Sequence, residues 1–287
     1  TFNNTKIMLN HQSESPWKNN KFVGKYFQDH IGLHIGKLKI FNKKKFNDIF
    51  TNGFVSRSKY QPKIKSRYTI NNFEYGISGE IKNPKNNQKN LSNKIIKDFI
   101  LEKSLKNLLN VIKVINFKNF FLIKKIFYFI IRKKIIFNDL KKLSFYVQCE
   151  QKPLKNSFIN LISKKKKIYS LNWKICGDEF KVINKFVKDV NLFLKREKIG
   201  EIDLNYFSKL NLKLFKEKLR DTNHPSGGII MSKNLNYGVL DKNQRVQNTK
   251  NFYVAGSSTF PKSSHANVTL TSLALTERLA CHLIKKN

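Results

Sequence analysis

Apolar and polar residues alternate along the first part of the chain with the period of two that is typical of half-buried strands. The alternation is clearest over residues 31–40. Residues 68–70 and 73–77 are rich in aromatic and β-branched side chains, and the two asparagines between them favour a turn. We therefore predict a strand over 31–40 and a hairpin centred on the asparagine pair.

A period of three to four residues indicates helices elsewhere. Residues 5–9 are helical in character, residues 81–95 are polar enough for an exposed loop, and residues 95–142 place lysines between apolar positions, as amphipathic helices do. The apolar run 108–131 has the length of a membrane span, but four lysines interrupt it, and a charge at bilayer depth costs roughly 3 kcal/mol. We expect no transmembrane segment; these helices either pack against the protein or lie on a membrane surface.

The strand pattern returns after residue 143 and gives way to a long helix. A charged turn is predicted at residues 164–167. From residue 177 the apolar positions predict a helix that ends near Arg196, with Asp178 as its candidate cap and Gly200 just past its end. Three more strands are predicted, at residues 144–151, 158–162 and 168–175.

The order of these elements predicts the fold class. Strands, helices, strands and a helix follow one another without a regular βαβ repeat, which favours an α+β fold with an antiparallel sheet and flanking helices. The sequence contains no G-x-G-x-x-G and no G-x-x-x-x-G-K segment, so no phosphate-binding loop of the usual kind is present.

Composition adds a strong positive charge. The hydrophobic fraction of 40% suffices for a core, and the formal net charge is +37. Such a field attracts nucleic acid or anionic surfaces. Only seven of the 56 basic residues are arginines, and heavy use of Lys, Asn, Ile and Phe together is typical of an AT-rich genome. Because base-specific contacts favour arginine, we expect no specific nucleic-acid partner.

The cysteines and histidines predict no metal site. Cys149, Cys176 and Cys281 are far apart and odd in number, which is typical of free thiols in a reducing compartment, so we expect a cytoplasmic protein. His30 and His34 are spaced i, i+4, but no cysteine or carboxylate pattern completes a zinc site around them.

Residues of chemical interest concentrate after residue 220. His224 lies in the segment Asp-Thr-Asn-His-Pro-Ser-Gly-Gly, where proline and paired glycines predict a turn whose backbone can approach a ligand. Histidine there is either a general base or a surface-loop side chain. Residues 252–258 read as a short buried strand ending in small residues, which fits tight packing or a cofactor lying against backbone amides.

Asn267 comes directly before an apolar segment, residues 268–284, that predicts a helix. Asn267 or Thr269 can cap this helix, and the free amides of its first turn would stabilise an anion or an electron-rich ring that lies against the helix start. A plain capping asparagine is the other interpretation.

These segments together resemble one family, the glucose–methanol–choline (GMC) flavoprotein oxidoreductases. Residues 224–228 resemble its His-Pro-Met-Gly-Thr or His-Pro-Leu-Gly-Gly loop, and residues 238–246 its Gly-Val-Val-Asp-x-x-x-Arg-Val segment. Residues 251–261 resemble Asn-Leu-Tyr-Val-Ala-Gly-Ser-Ser-Val-Phe-Pro, and residues 266–271 Ala-Asn-Pro-Thr-Leu-Thr. Upstream, residues 23–30 are similar to Val-Gly-Arg-Tyr-Phe-Met-Asp-His. Four motifs in the family's order make the resemblance specific.

The resemblance implies a reaction and roles. An alcohol or sugar would be oxidised at CH–OH, with His224 matching the base that takes the hydroxyl proton and Asn267 the residue that orients the substrate oxygen, while hydride passes to flavin N5. It implies FAD as cofactor and no metal. Gly256 and Ser257 match backbone along FAD, and Val268 and Thr269 match the helix start that faces the flavin.

The resemblance also implies an organisation. Residues 1–30 would end the FAD-binding half, residues 31–220 would form the substrate-binding domain, and residues 221–287 would be the closing segment whose strand and helix complete an FAD-binding α/β domain. Because the glycine-rich pyrophosphate loop is absent and the chain begins at Thr1, we expect a fragment or split product whose other half is supplied in cis or trans.

Departures from the family pattern and two rival hypotheses remain. Ser226, Ile230 and Val268 stand where the family usually has Met, Arg and Pro. An inactive remnant and a basic protein that binds nucleic acid or anionic surfaces are the alternatives. Neither the substrate nor the choice between oxidase and dehydrogenase follows from these motifs.

Overall fold

The computed structural model describes residues 1–55, 58–60, 62–82, 131, 134–135, 140–234 and 237–285. Within these ranges the helices are α1 (Phe2–Asn10), α2 (Lys43–Phe50), α3 (Asp178–Arg196), α4 (Leu212–Lys218) and α5 (Val268–Ile284). The strands are β1 (Ile31–Ile40), β2 (Asn52–Val55), β3 (Ser58–Tyr60), β4 (Lys63–Ile70), β5 (Phe73–Lys82), β6 (Lys134–Ile135), β7 (Ser144–Cys149), β8 (Phe158–Ser163), β9 (Ile168–Asn172), β10 (Gly200–Ile202) and β11 (Arg220–Asp221).

An antiparallel sheet organises most of the chain. Its strand order is β10–β1–β7–β5–β4, and β11 pairs with the first two residues of β1. The predicted hairpin turn is confirmed: Asn71 and Asn72 both have positive φ, 49° and 58°, which matches the right-handed twist of the strands β4 and β5 that they join. Smaller sheets, β3–β2–β6 and β8–β9, complete the described strands.

Helix α3 covers this sheet and closes the larger of two hydrophobic cores. Val182, Ile183, Phe186 and Val187 are at most 1% exposed and pack with apolar residues of β1, β5 and β7. The apolar positions recur every three to four residues, so one face of the helix is buried and its lysines stay in water. The helix therefore forms because the sheet gives its apolar face a partner.

A second, smaller core joins the two ends of the described chain. Met8 and Trp17 from the N-terminal segment pack with Val239, Val246 and Val254 from the C-terminal segment. The indole nitrogen of Trp17 donates to the Met8 carbonyl oxygen at 3.1 Å, so its polar atom is satisfied inside this core. Residues 1–30 are thus fixed against the segment that carries the predicted site.

Several predicted boundaries were wrong. The loop predicted over residues 81–95 is wrong at its start, because β5 continues to Lys82 and Ile81 is buried; residues 83–95 lie outside the described residues. The strand predicted to residue 175 ends at Asn172. Asp178 is the first helical residue and not the cap: Gly177 occupies the N-cap, and its amide is bound by the Glu179 carboxylate at 2.8 Å.

The C-terminal end of α3 and the predicted helical region also differ from prediction. Lys198, with φ 51°, makes the left-handed turn after α3, while Gly200 begins β10, where a Cβ would collide with the Lys39 carbonyl oxygen. Most of the helices predicted over 95–142, and nearly all of the run 108–131, lie outside the described residues. Lys134–Ile135 is a strand paired with β2. No helix among the described residues is long and apolar enough to cross a membrane.

The strand predicted at residues 252–258 is absent. Only Tyr253 forms a bridge, to Arg245, and the chain then turns at Gly256 into one 3-10 turn, Ser257–Thr259. The apolar residues followed by small residues predicted a strand. A strand requires a hydrogen-bonded neighbouring strand along its length, and here the pairing stops after one residue. The helix predicted at 268–284 is confirmed as α5.

Candidate active site

The His224 loop is an irregular turn held in place by the N-terminal segment. Gln28 and Ser226 exchange two backbone hydrogen bonds, each 2.9 Å long. Gly227 and Gly228 have φ of 75° and 91°, and a Cβ on Gly227 would collide with a backbone carbonyl oxygen. Both glycines are required, because L-residues avoid this conformation and the space beside them is filled. The loop therefore holds His224 in one backbone position.

A buried carboxylate, Asp29, organises the loop directly. One oxygen, Oδ1, accepts hydrogen bonds from the His224 amide at 3.1 Å and from the Thr222 amide and hydroxyl at 3.4 Å each. The Thr222 hydroxyl lies 2.9 Å from Nδ1 of His224. Burial raises the pKa of Asp29, and the amide donors of His224, His30 and Thr222 oppose that rise because they stabilise the charged form. Asp29, Thr222 and His224 form a continuous hydrogen-bonded chain.

A second histidine lies beside the first. The ring of His30 is 0% exposed, and its centroid is 5.1 Å from that of His224. Burial lowers the pKa of His30 to about 4, and the nearby His224 acts in the same direction. His30 is therefore neutral at neutral pH. Neither of its ring nitrogens has a hydrogen-bond partner among the described residues.

The Glu150 carboxylate ties the next segment, residues 262–265, to the main sheet. Glu150 is 2% exposed, accepts from the amides of Gly76 at 2.9 Å and Ser264 at 2.8 Å, and lies 3.6 Å from Nζ of Lys262. Burial raises the pKa of Glu150, and these donors oppose the rise. His265 packs so closely against Gly76 that no Cβ would fit there. The chain entering α5 is thereby anchored to strands β5 and β7.

Ser257 and the His224 loop are in direct contact. The Ser257 hydroxyl donates to the Pro225 carbonyl oxygen at 2.9 Å, and the Gly227 amide donates to the Ser257 carbonyl oxygen at 3.0 Å. Thr1 adds a hydroxyl that donates to the same Pro225 oxygen at 2.7 Å. Gly256, with φ 104°, faces open space: a Cβ built there would have Asn4 Nδ2, 3.8 Å away, as its nearest neighbour.

The predicted residues at the start of α5 are placed less closely. Asn267 occupies the N-cap position of α5, as predicted, but its side chain is exposed and makes no capping hydrogen bond. Val268 is half-buried, Thr269 is exposed, and no acidic residue lies in the first turn. Among the hydrogen bonds of the described residues, none joins Asn267 to His224. The structure thus brings Ser257 against the His224 loop and leaves the α5 start as a free helix end.

Asp29, His30 and Thr222 were not predicted as site residues. Asp29 and His30 end the segment that resembles a family motif, so the sequence did contain a signal for them. Thr222 carries none, because its contact with Asp29 spans 193 positions and depends on the folded sheet.

The possible metal ligands in the part of the chain that the structure describes include its cysteines. No group of three or more His, Cys, Asp or Glu residues there is placed to hold a metal ion. Cys149 is buried, and Cys176 and Cys281 are exposed; all three are free thiols.

Two cavities show where ligand-sized space exists. One of about 290 Å³ lies between α1 and residues 252–255, next to Gly256. Another, of about 760 Å³, opens at the surface between β1, β10 and α3, and five lysines contribute to its wall. None of the predicted site residues lines the larger one.

Comparison with known proteins gives a family match over part of the chain. Residues 153–276 match the family model described as GMC oxidoreductase, and this segment contains the His224 loop, Gly256, Ser257 and the start of α5. The predicted family is thereby confirmed over that segment. No match is found among curated proteins.

Solved structures add a likeness in fold. A structure of formate oxidase from Aspergillus oryzae RIB40, concerned with its FAD modification, has a TM-score of 0.50 and 13% identity, covering 93% of this chain and 48% of that one. Pyridoxine 4-oxidase from Mesorbium loti has a TM-score of 0.49 and 11% identity, covering 91% and 43%. The chain spans about half the length of these proteins. The likeness to formate oxidase, at this identity, concerns the fold, and the α+β prediction is confirmed.

Proposed function

We propose that this chain forms the substrate-binding and closing part of an FAD-dependent oxidoreductase that oxidises CH–OH groups of an alcohol or sugar. The observation that carries the proposal is the His224 loop. Its histidine is half-buried and hydrogen-bonded through Nδ1 to Thr222, and Ser257 bonds the Pro225 carbonyl oxygen of the same loop, within a segment that matches the family. Positioned histidines are the commonest general bases near neutral pH.

The residues present fit an FAD isoalloxazine and its linker. Gly256 leaves its backbone open on one side, a cavity of about 290 Å³ adjoins it between α1 and residues 252–255, and the α5 N-terminus has no side-chain cap and no acidic residue in its first turn. Gly256 and Ser257 would hold FAD along the backbone, and Val268 and Thr269 would face the ring, where the positive helix end favours negative charge. Bound FAD would supply the two-electron acceptor for a hydride from the carbinol carbon.

His224 would accept the hydroxyl proton of the substrate. Its neighbour His30 remains neutral, so no second full charge opposes the proton that His224 takes up. Asn267, exposed and without a capping bond, would orient the substrate oxygen as a hydrogen-bond donor or acceptor. This chain's residues thereby supply proton acceptance and orientation.

An FAD-binding half, in cis or as a separate chain, would be the partner. The matched family segment runs from residue 153 to residue 276, and the sequence holds no glycine-rich dinucleotide loop. Helix α5 exposes Leu270 at 78%, Leu273 at 63% and Ile284 at 75%. These three residues lie on one side of the helix, because the spacings from Leu270 are close to whole numbers of helical turns, and with Glu277 among them they form a largely apolar face. We assign this face to contact with that half.

Flavin reduction tests the role of His224. The holoprotein, assembled with its FAD-binding half, would be mixed anaerobically with a panel of primary alcohols and sugars while flavin absorbance is followed. His224→Ala should slow flavin reduction by about 10²–10⁴-fold, because general-base catalysis contributes that much. The control His11→Ala removes an exposed histidine and should leave the rate unchanged. An unchanged rate in His224→Ala would contradict the assignment, and no bleaching with any donor would contradict the reaction class.

A further inference from the structure

The Thr222 hydroxyl hydrogen belongs to the hydrogen-bonded chain that joins Asp29 to His224. Its position decides which ring nitrogen of His224 can accept a proton. The Thr222 hydroxyl has a single hydrogen and lies between two acceptor sites: Asp29 Oδ1 at 3.4 Å and His224 Nδ1 at 2.9 Å. A carboxylate can only accept, whereas an imidazole nitrogen either donates or accepts according to its tautomer. The charge on Asp29 therefore biases the whole chain.

We infer that Asp29, acting through Thr222, is a positioning residue that fixes His224 in the Nδ1–H tautomer and leaves Nε2 as the proton acceptor. This inference rests on the proposed function, in which His224 is the base. The Thr222 hydroxyl donates to Asp29, and its oxygen accepts from Nδ1–H of His224. In the opposite arrangement Thr222 donates to Nδ1, the proton moves to Nε2, and His224 has no lone pair free to take the substrate proton.

The surroundings of Asp29 favour the first arrangement. Its side chain is 4% exposed, and the same oxygen receives two backbone amides, from Thr222 and His224. Amide donors stabilise the charged carboxylate. Because the carboxylate is buried, each hydrogen bond donated to it is stronger than the same bond would be in water. The 3.4 Å contact from Thr222 is long for a hydroxyl donor, but hydrogen bonds of catalytic groups often tighten only once substrate is bound.

The neighbours of His224 leave its other nitrogen without a hydrogen-bond partner among the described residues. His30 packs against the ring at 5.1 Å between centroids, and no hydrogen bond from the described residues reaches Nε2 of His224. The side chain of Thr222 also contributes packing: its methyl group lies 3.0 Å from the position that a Cβ on Gly32 would take. Thr222→Val keeps that methyl and removes only the hydroxyl, so it separates hydrogen bonding from packing.

The tautomer of His224 can be measured without turnover. Long-range ¹H–¹⁵N correlation spectra of the full chain, labelled at its six histidines, distinguish Nδ1–H from Nε2–H rings, and His224→Gln identifies the signal of His224. At pH 8 the wild type and Thr222→Ser should show Nδ1–H. Thr222→Val should shift the population toward Nε2–H, and Asp29→Asn should shift it part of the way, because its amide accepts more weakly.

Two controls and one overturning result complete the design. Thr249→Val removes a hydroxyl that bonds the Val246 carbonyl oxygen in the same C-terminal segment and should leave the His224 signal unchanged. The signals of the other histidines report whether each variant is folded. An Nε2–H ring in the wild type would overturn the inference even if no variant folds. An Nδ1–H ring in the wild type together with unaffected flavin reduction in His224→Ala would instead contradict the proposed role of His224 as the base. The two failures are therefore distinguishable.

Discussion

The two longest helices of the described chain have opposite surroundings. Helix α3 has eight buried residues among nineteen, whereas α5 has one, Leu279, among seventeen. Helix α3 is the more charged of the two, and α5 carries the exposed leucines. Burial is therefore set by what lies opposite each helix and not by its own apolarity. The main sheet covers α3, and no described residues cover the exposed leucines of α5.

The sheet region and the C-terminal segment also differ in the interactions that stabilise them. In the sheet region, shape is maintained by one large apolar core. In the C-terminal segment it is maintained by a small core and by backbone amides that donate hydrogen bonds to the buried carboxylates Asp29 and Glu150. An apolar core tolerates changes of pH, whereas buried titratable groups do not. We expect stability to depend on packing in the first region and on protonation in the second.

The largest expected effect is a cavity under α3. Phe186 is 1% exposed and stacks on Phe145 with 6.2 Å between ring centroids. Phe186→Ala should lower the free energy of unfolding by about 4 kcal/mol, because the transfer energy and the cavity add. Leu192→Ala, on the same helix but 67% exposed, should change it by less than about 0.5 kcal/mol. Urea unfolding measures both; equal losses would contradict the assignment of the core to this face.

The second effect is the pH dependence that His30 confers. Its pKa is about 4 in the folded protein against an ordinary 6.5, so the unfolded chain binds the proton first as the pH falls. Folding stability contributed by the neutral ring is complete above pH 6.5 and is lost between pH 6.5 and pH 4. The full loss is on the order of 3 kcal/mol, at about 1.4 kcal/mol per unit of pKa.

Replacing His30 isolates this term. His30→Phe keeps an aromatic ring, removes no hydrogen bond made by the described residues, and cannot titrate. The unfolding free energy of this variant should fall less steeply with decreasing pH than that of wild type, while His11→Phe, at an exposed position, should follow wild type. Parallel profiles for His30→Phe and wild type across this window would disprove the buried neutral histidine.

A smaller effect is expected where the two regions are joined. Glu150→Ala removes the acceptor of the buried Gly76 amide and of the Ser264 amide. Leaving one buried donor unpaired should cost roughly 2 kcal/mol. Glu74→Ala, in the same sheet, removes a carboxylate whose side chain is 50% exposed in its pair with Arg67, and it should cost no more than about 0.5 kcal/mol. A similar cost for both carboxylates would show that Glu150 does not tie residues 262–265 to the sheet.

The sequence predicted correctly those features that depend on residues close together in the chain. The strand at 31–40, the turn at Asn71 and the body of α3 were predicted because period and turn chemistry are local. The family motifs located His224 and Ser257. Two local predictions were wrong because tertiary contacts overrode them: Gly200 serves strand pairing instead of ending α3, and residues 252–258 pair at one residue only.

The groups that hold the His224 loop are the part that the sequence did not predict. Asp29 lies 193 positions before Thr222 and 195 before His224, and no periodicity in the chain connects them. The fold brings them together because β11 pairs with the start of β1, the strand that follows Asp29 and His30 directly. Register within an antiparallel sheet is decided by the whole sheet, so a single sequence does not reveal which residues meet at its edge.

The smallest expected effect tests the exposed face of α5. Leu270 is 78% exposed, and Leu270→Gln replaces it with a residue of similar helix propensity, so the unfolding free energy of the chain should change by less than about 0.5 kcal/mol. Leu279→Gln, on the buried face of the same helix, should cost about 2 kcal/mol or more, because an unpaired amide enters an apolar site. When the FAD-binding half is added, Leu270→Gln should weaken its association, because up to about 2 kcal/mol of apolar burial would be lost. Calorimetric titration of the two halves measures this change. Equal affinity for wild type and Leu270→Gln would remove the apolar face from the interface and leave the contrast between α3 and α5 without a functional cause.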